Sequence, residues 1–173
     1  MNHESLRVIR DEHATLAAML QSLTQLVRRG PNPDGADESV RFFDVLRAML
    51  FYIDEFPEKH HHPKESDLLF PRVARVAPYT MATIDQLERD HMQGELRVRE
   101  LMRLLMAWEL LGETRRQAFI DEVTRYVDFY LEHMRLEETV VLPAAVAHLK
   151  ADEWAEIDCA FATNDMLLSP GVQ

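Results

Sequence analysis

The chain has 173 residues, enough for one domain with a substantial core, and its 47% hydrophobic and 28% charged content is ordinary for a water-exposed globular protein. A formal net charge of −11 argues against nucleic acid or an anionic membrane as partner, because neither attracts an acidic surface. Its one cysteine, Cys159, excludes an internal disulfide and a thiolate metal cluster.

Few glycines and few β-branched runs favour helices. A first helix is expected from Asn2 or Glu4 to Arg29, because Leu6, Ile9, His13, Leu16, Leu20, Leu23 and Val27 keep the spacing of one buried stripe. Gly30-Pro31-Asn32-Pro33-Asp34-Gly35 stops it. A second helix starts near Asp37 or Ser39, carries Phe42, Leu46, Leu50, Ile53 and Phe56 inward, and continues irregularly past Pro57 and Pro63 to about Phe70. A third runs from Tyr79 or Thr80 to Leu111 and ends at Gly112. A fourth follows Thr114, buries Phe119, Val123, Tyr126, Tyr130, His133, Glu137 and Val140, and ends at Pro143. A last amphipathic piece with Trp154, Ile157 and Phe161 lies against the outside, and Ser169 to Gln173 fray. The polar N-terminus reads as no secretory leader, and no apolar run approaches ~18 residues, so a cytoplasmic setting is expected.

Short connections between long helices favour antiparallel neighbours. The expected fold is therefore all-α: an up-down-up-down antiparallel four-helix bundle with a short C-terminal helix. It forms a single domain over 1–173, with the bundle at about 4–142 and an amphipathic extension at 143–165. In that topology the start of helix 1, the end of helix 2, the start of helix 3 and the end of helix 4 share one end. His13, His61, His91 and His133 then all lie roughly 12–18 Å from it, at 1.5 Å per residue, and each falls on its helix's apolar stripe. His61 and Glu65 are four residues apart, as are His91 and Glu95, and His133 and Glu137, so each pair shares a helix face.

A lone histidine on an apolar stripe is usually a hydrogen-bonded core residue, and most histidine–glutamate pairs at this spacing are solvated contacts. Convergence changes the reading: four imidazoles and two carboxylates in one core would cost many kcal/mol in desolvation without a metal. The donors are nitrogen and oxygen only. Two octahedral ions bridged by carboxylates suit them, with iron or manganese compatible, whereas a structural zinc recruits cysteine and takes four ligands. Four imidazoles and two bridging carboxylates leave roughly four of about twelve coordination positions for an oxo or hydroxo bridge and an exogenous ligand. The metal ligands expected are His13, His61, Glu65, His91, His133 and Glu137. His60 and His62 read as solvated or flanking, with His62 reaching a metal only if Pro63 distorts the turn. Glu95 reads as a polar residue at the stripe's edge or an additional ligand. Tyr130 is a core tyrosine or a lining residue. Met92, Met102, Met106 and Met134 read as packing. No residue is assigned a catalytic role.

The order His13, His61 with Glu65, His91, and His133 with Glu137 resembles the bacterial hemerythrin-like family, the histidine–histidine–glutamate cation-binding domain. His61-His62-Pro63-Lys64-Glu65 followed by Leu69-Phe70-Pro71 is similar to that family's second-helix motif, and Leu131-Glu132-His133 to Glu137 with Leu142-Pro143 to its fourth. The resemblance covers roughly residues 5–145. It implies a bundle holding two iron ions with an oxo or hydroxo bridge, with manganese or zinc able to substitute in a recombinant preparation. Two positions differ from the oxygen-carrying hemerythrins: Glu95 stands where helix 3 has a second histidine, and Glu137 follows His133 by four residues where an aspartate follows by five. The four-histidine, two-glutamate set is similar to that of di-iron proteins implicated in iron–sulfur cluster repair, which carry a further cysteine-containing domain. A ferritin-like site is a poorer fit: Glu58-x-x-His61 and Glu88-x-x-His91 occur, but Tyr130 stands where helix 4 would need glutamate.

Three functions are compatible: binding or sensing O2 or a related ligand such as NO; repair, or detoxification of peroxide or NO; and iron buffering. Histidine-rich ligation without an obvious substrate pocket favours the first, a metal- and ligand-binding protein rather than an enzyme. The expected partner is a small ligand (O2, NO or peroxide), with no nucleic acid and no membrane.

Overall fold

The computed structural model describes residues 3–32 and 36–168, all of it helix and connecting turns, with no strand among the described residues. Helix α1 is Glu4–Arg29. Its expected stripe, from Leu6 through His13 to Val27, is buried throughout. The chain leaves α1 through Gly30, whose φ of 75° lies in the left-handed region and whose N–H donates to Leu26 O. Arg116 reaches across to donate to Val27 O and Arg28 O at 3.0 and 2.8 Å, so it satisfies carbonyls that the helix end leaves without partners.

Helix α2 begins at Ala36–Ile53 and does not stop at its prolines. It widens into π-helical turns at Asp54–His61, takes one α turn at His62–Lys64, widens again at Glu65–Leu69 and closes as α-helix at Phe70–Val76. A proline in an α-helix lacks the N–H that should bond four residues back, and its ring meets that carbonyl. A wider turn moves the carbonyl away, so Pro57, Pro63 and Pro71 are absorbed without breaking the rod. A single turn, Pro78–Thr80, leads into α3, Met81–Leu111, which ends at Gly112. Helix α4 starts as Arg116–Leu136 and also widens, at Glu137–Val141, before continuing as Leu142–His148. The stop expected at Pro143 is thus corrected: the preceding π turn leaves room for the ring, and the helix goes on.

Helix α5, Ala151–Leu168, packs along α1. Ser5 donates both its N–H and its hydroxyl to Asp158 Oδ1 at 2.9 and 2.5 Å, and the His3 ring stacks on Trp154 at 4.0 Å. Trp154, Ile157 and Phe161 are buried in the core. The fraying expected at 169–173 lies outside the described residues.

The interior divides into two apolar clusters. One gathers Leu20, Leu46, Leu105, Trp108, Phe119 and Tyr126. The other gathers Ile9, Phe70, Leu87, Leu142, Trp154 and Phe161. Along α1, α2, α3 and α4 the histidines fall between them: His13 between Ile9 and Leu16, His61 between Ile53 and Leu69, His91 between Leu87 and Val98, and His133 between Tyr130 and Val141. A polar layer is therefore enclosed by apolar packing on both sides.

The two positive-φ glycines supply a test of the α1 stop. A Cβ on Gly30 would lie 2.6 Å from the Arg116 guanidinium, whereas one on Gly112 would meet nothing within 4 Å. Gly112→Ala is expected to cost about 1 kcal/mol from backbone strain alone. Gly30→Ala is expected to cost about 1 kcal/mol more, because Arg116 must also give up its two carbonyls. Urea unfolding midpoints check the order.

Candidate metal centre

Two stretches deliver the carboxylates. Each has a histidine, a glutamate four residues on, and a proline six residues after that: His61, Glu65 and Pro71; His133, Glu137 and Pro143. Each glutamate opens a π-helical segment, and the N–H five residues later donates to its carbonyl, Phe70 to Glu65 and Leu142 to Glu137. Widening also changes which side chains share a face. In a regular α-helix neighbouring residues point about 100° apart. In the turns around Pro57 and Pro63 both His61 and His62 are buried toward the interior.

Two groups of donors result. His13, His61, Glu65 and Glu137 bring one ligand atom each within 4.8 Å of one another, and so do His62, Glu65, His91 and His133. Glu65 joins both. Its Oε1 stands 2.8 Å from His61 Nε2 and its Oε2 stands 3.5 Å from His91 Nε2. Glu137, a member of the first group, faces both sides from the opposite helix, with Oε2 3.0 Å from His13 Nε2 and Oε1 3.4 Å from His133 Nε2. Each carboxylate therefore offers one oxygen to each histidine group.

The remaining nitrogens are held from outside. His13 Nδ1 lies 2.9 Å from Glu138 Oε1, His61 Nδ1 2.5 Å from Glu12 Oε2 and His62 Nδ1 3.3 Å from Glu58 Oε2, while His133 Nδ1 faces Asp90 Oδ2 at 3.5 Å without a hydrogen bond. His91 Nδ1 lies 3.0 Å from Ser66 Oγ, whose proton goes to Glu88 Oε2 at 2.9 Å, so the imidazole is the donor there. An N–H committed outward at Nδ1 leaves the Nε2 lone pair facing inward, the tautomer a metal ligand needs.

The donor set fits a cation. Both oxygens of Glu65 and Glu137, and Nε2 of His61, His91 and His133, are buried with no hydrogen-bond partner. Buried polar atoms left so are costly unless something else satisfies them. Protein charges alone answer the carboxylates with protons. Burial pulls the imidazoles down, yet Glu137 and neighbouring acids more than reverse it for His133, lifted to about 10, and raise His13 as well. Burial likewise opposes His61, but Glu65 and Glu12 raise it well above its ordinary value. Burial would lift Glu137, but His133 and His13 hold it well below the carboxylate range. His62 is pushed well down by burial and by the histidines around it, so it stays neutral. The pocket thus demands positive charge, and metal ions supply it while leaving the imidazoles free to ligate.

The structure brings together all six residues expected as ligands and adds His62, whose ring stacks on His91 at 4.0 Å. Glu95 does not join them. Its half-exposed carboxylate accepts from Arg99 one turn along α3. Helix α3 stays regular there, and only π turns bring neighbouring positions inward. Tyr130 is buried beside the cluster, with its hydroxyl donating to Glu58 Oε1 and lying 3.5 Å from His62 Nε2. Sequence reasoning missed the outer carboxylates. Glu58 had two signals: it precedes His62 by four residues, and Gly94, a glycine inside a helix, is where an added Cβ would come within 2.5 Å of its Oε1. Burial raises Glu58 to about 7 against the opposing pull of Tyr130 and His133.

Comparison with known proteins agrees with this geometry. Over 93 residues, 54% of this chain, the sequence is 32% identical to a protein of Haemophilus influenzae (strain ATCC 51907 / DSM 11121 / KW20 / Rd) described as uncharacterized. The match covers 52% of that relative, so the chain spans about half its length. The family model of the hemerythrin HHE cation-binding domain matches residues 4–145, which contain every residue of both donor groups, and the chain belongs to that family.

Proposed function

We propose that the chain is a non-haem di-iron protein of hemerythrin type that binds or senses O2 or a related small ligand such as NO. The observation that carries this reading is the division of Glu65 and Glu137 between the two histidine groups, which is how carboxylates bridge a pair of ions. His13 and His61 would hold one ion; His62, His91 and His133 would hold the other; Glu65 and Glu137 would span both. Iron, as a hard-to-borderline ion with accessible ferrous and ferric states, supplies redox binding of small ligands there. With five imidazoles and two carboxylates as ligands, two such ions would keep coordination room for a small exogenous ligand.

A cavity of about 20 Å³ lies beside the centre, lined by His13 and His61 of one donor group, His62 and His133 of the other, and Leu16, Phe56 and Met134. That is room for one water-sized or diatomic molecule. Its mainly apolar walls admit a neutral diatomic and exclude organic substrates, which favours a ligand-binding protein over an enzyme. The surrounding fold is read as one domain, an up-down-up-down bundle with α5 added. The contact of Arg116 at the start of α4 with the end of α1, and of Arg47 in α2 with Glu109 near the end of α3, support that arrangement. Helices long and apolar enough to cross a membrane do not occur among the described residues, and we place the protein in the cytoplasm, which suits an exposed free thiol at Cys159.

Protein from iron-replete medium is expected to carry about two iron atoms per chain. Its visible spectrum should change reversibly between anaerobic reduction and re-exposure to air or NO. One zinc per chain, or irreversible bleaching with peroxide turnover, would overturn the binding reading.

Removing a bridge should be worse than removing a bystander. Glu65→Ala or Glu137→Ala is expected to lower iron content at least about tenfold in retained affinity. Glu95→Ala should leave the content near that of the parent. His62→Ala should resemble the bridging variants, which elemental analysis after dialysis decides.

Metal removal should loosen one layer of the fold. Apo protein is expected to stay helical but to melt about 5–10 °C below protein holding metal at about a hundred times its Kd. Hydrogen exchange should rise most at 54–69 and 137–141, where the wide turns depend on the centre.

A further inference from the structure

A second opening reaches the cluster on its other side. A groove of about 480 Å³ runs between α2 and α3, lined by Glu58, Glu88, Glu95, His62, His91 and Met92 among others. Its character differs from that of the apolar cavity beside His13. Three carboxylates border it. Its cationic member, Lys59, is turned to Asp54 at 3.0 Å and to Glu55. At its floor is His91, 8% exposed, whose Nε2 has no hydrogen-bond partner and stands 3.5 Å from Glu65 Oε2. His62 lines the same floor and is buried. The groove therefore runs from solvent to the outer edges of His62 and His91, where Glu58 and Ser66 hold their Nδ1 atoms.

The cavity beside His13 is the poorer way in for ions. Leu16, Phe56 and Met134 wall much of it, its carboxylate Glu12 is already held by His61 Nδ1, and a divalent cation stripped of water against apolar side chains meets a large desolvation cost. In the groove, carboxylates can replace lost waters one at a time, and a cleft edged with one sign of charge concentrates the opposite ion. Glu95 is the outermost of the three. Its bond to Arg99 is an exposed pair four residues apart, of the kind that contributes little and exchanges readily.

Building on the di-iron reading above, we infer that the α2–α3 groove is the route by which a divalent cation reaches the centre, with Glu95 as the carboxylate that receives it at the mouth. Glu95 then has a kinetic role and no place in the finished ligand set, so its loss slows filling without changing the filled state.

The test is the rate at which apo protein takes up cobalt(II), supplied as the metal alone and followed by its visible absorption in nitrogen and oxygen sites. Glu95→Gln is expected to slow uptake by about three- to tenfold at low salt, and Glu95→Lys by more. Added salt should slow the parent more steeply than Glu95→Gln. Final stoichiometry should be the same in all. Glu100→Gln, which removes a charge on the same helix outside the groove, should leave the rate unchanged. Equal rates for the parent and both Glu95 variants, with all of them filling, would overturn the route and leave the centre standing. Failure of the parent and every variant to take up cobalt would overturn the route and the di-iron reading together. A lower final stoichiometry in Glu95→Gln would overturn the kinetic role by making Glu95 a ligand.

Discussion

Two carboxylates held almost entirely out of water, Glu65 and Glu137, are the constraint on which the rest of this fold depends. A buried carboxylate is expensive unless positive charge and hydrogen-bond donors surround it. Here the surroundings are imidazoles, each carboxylate lying between two of them, and those imidazoles are in turn tied by their outer nitrogens to further acids. The arrangement places negative charge at the centre, nitrogen lone pairs around it and negative charge again outside. A cation at the centre makes all three layers favourable at once. The outer acids then help: by accepting from Nδ1–H they raise the basicity of the nitrogen that faces inward.

That polar layer sits between two apolar clusters, and the backbone is adapted to it. A plain α-helix presents one residue in three or four to a given neighbour. Each of α2 and α4 must present a histidine and a glutamate one turn apart, and α2 must present His62 besides. The π turns at Asp54–His61, Glu65–Leu69 and Glu137–Val141 meet this need by widening the helix where the ligands lie. Wide turns are intrinsically poorer than α turns. The prolines at 57, 63, 71 and 143 make the α alternative worse still, since each lacks the donor and crowds the carbonyl that a regular helix would use. Proline thus fixes the phase of these helices.

Much of this was legible in the sequence. Apolar periodicity located α1, α3 and most of α4, and the depth of His13, His61, His91 and His133 along their helices foretold that they would meet. His62 was not legible in the same way, because its place depends on a departure from the 3.6-residue period, and proline signals such a departure without giving its direction. Glu95, read as a polar residue at the stripe's edge or an additional ligand, stands outside both donor groups for the complementary reason. Its spacing from His91 copies that of Glu65 from His61, but α3 has neither proline nor wide turn there, and the carboxylate leans outward to Arg99. Apart from Glu58, the outer acids could not be paired from sequence: Asp90 neighbours His91 in the chain yet faces His133 from α3 to α4. The fifth helix was visible as an amphipathic piece, whereas its burial against α1 through Ser5 and Asp158 required the tertiary structure.

His62 makes the two donor groups unequal, three histidines against two, and two different openings reach them. The small apolar cavity touches both groups, at His13 and His61 and at His62 and His133, whereas the acidic groove touches the three-histidine group, at His62 and His91. A neutral diatomic crosses apolar packing with little cost, while a hydrated cation does not. The proposed route for ions and the cavity suited to neutral ligands therefore meet the centre at different openings. His62 lines both of them, and it lies there because the wide turns around Pro57 and Pro63 carry it inward beside His61.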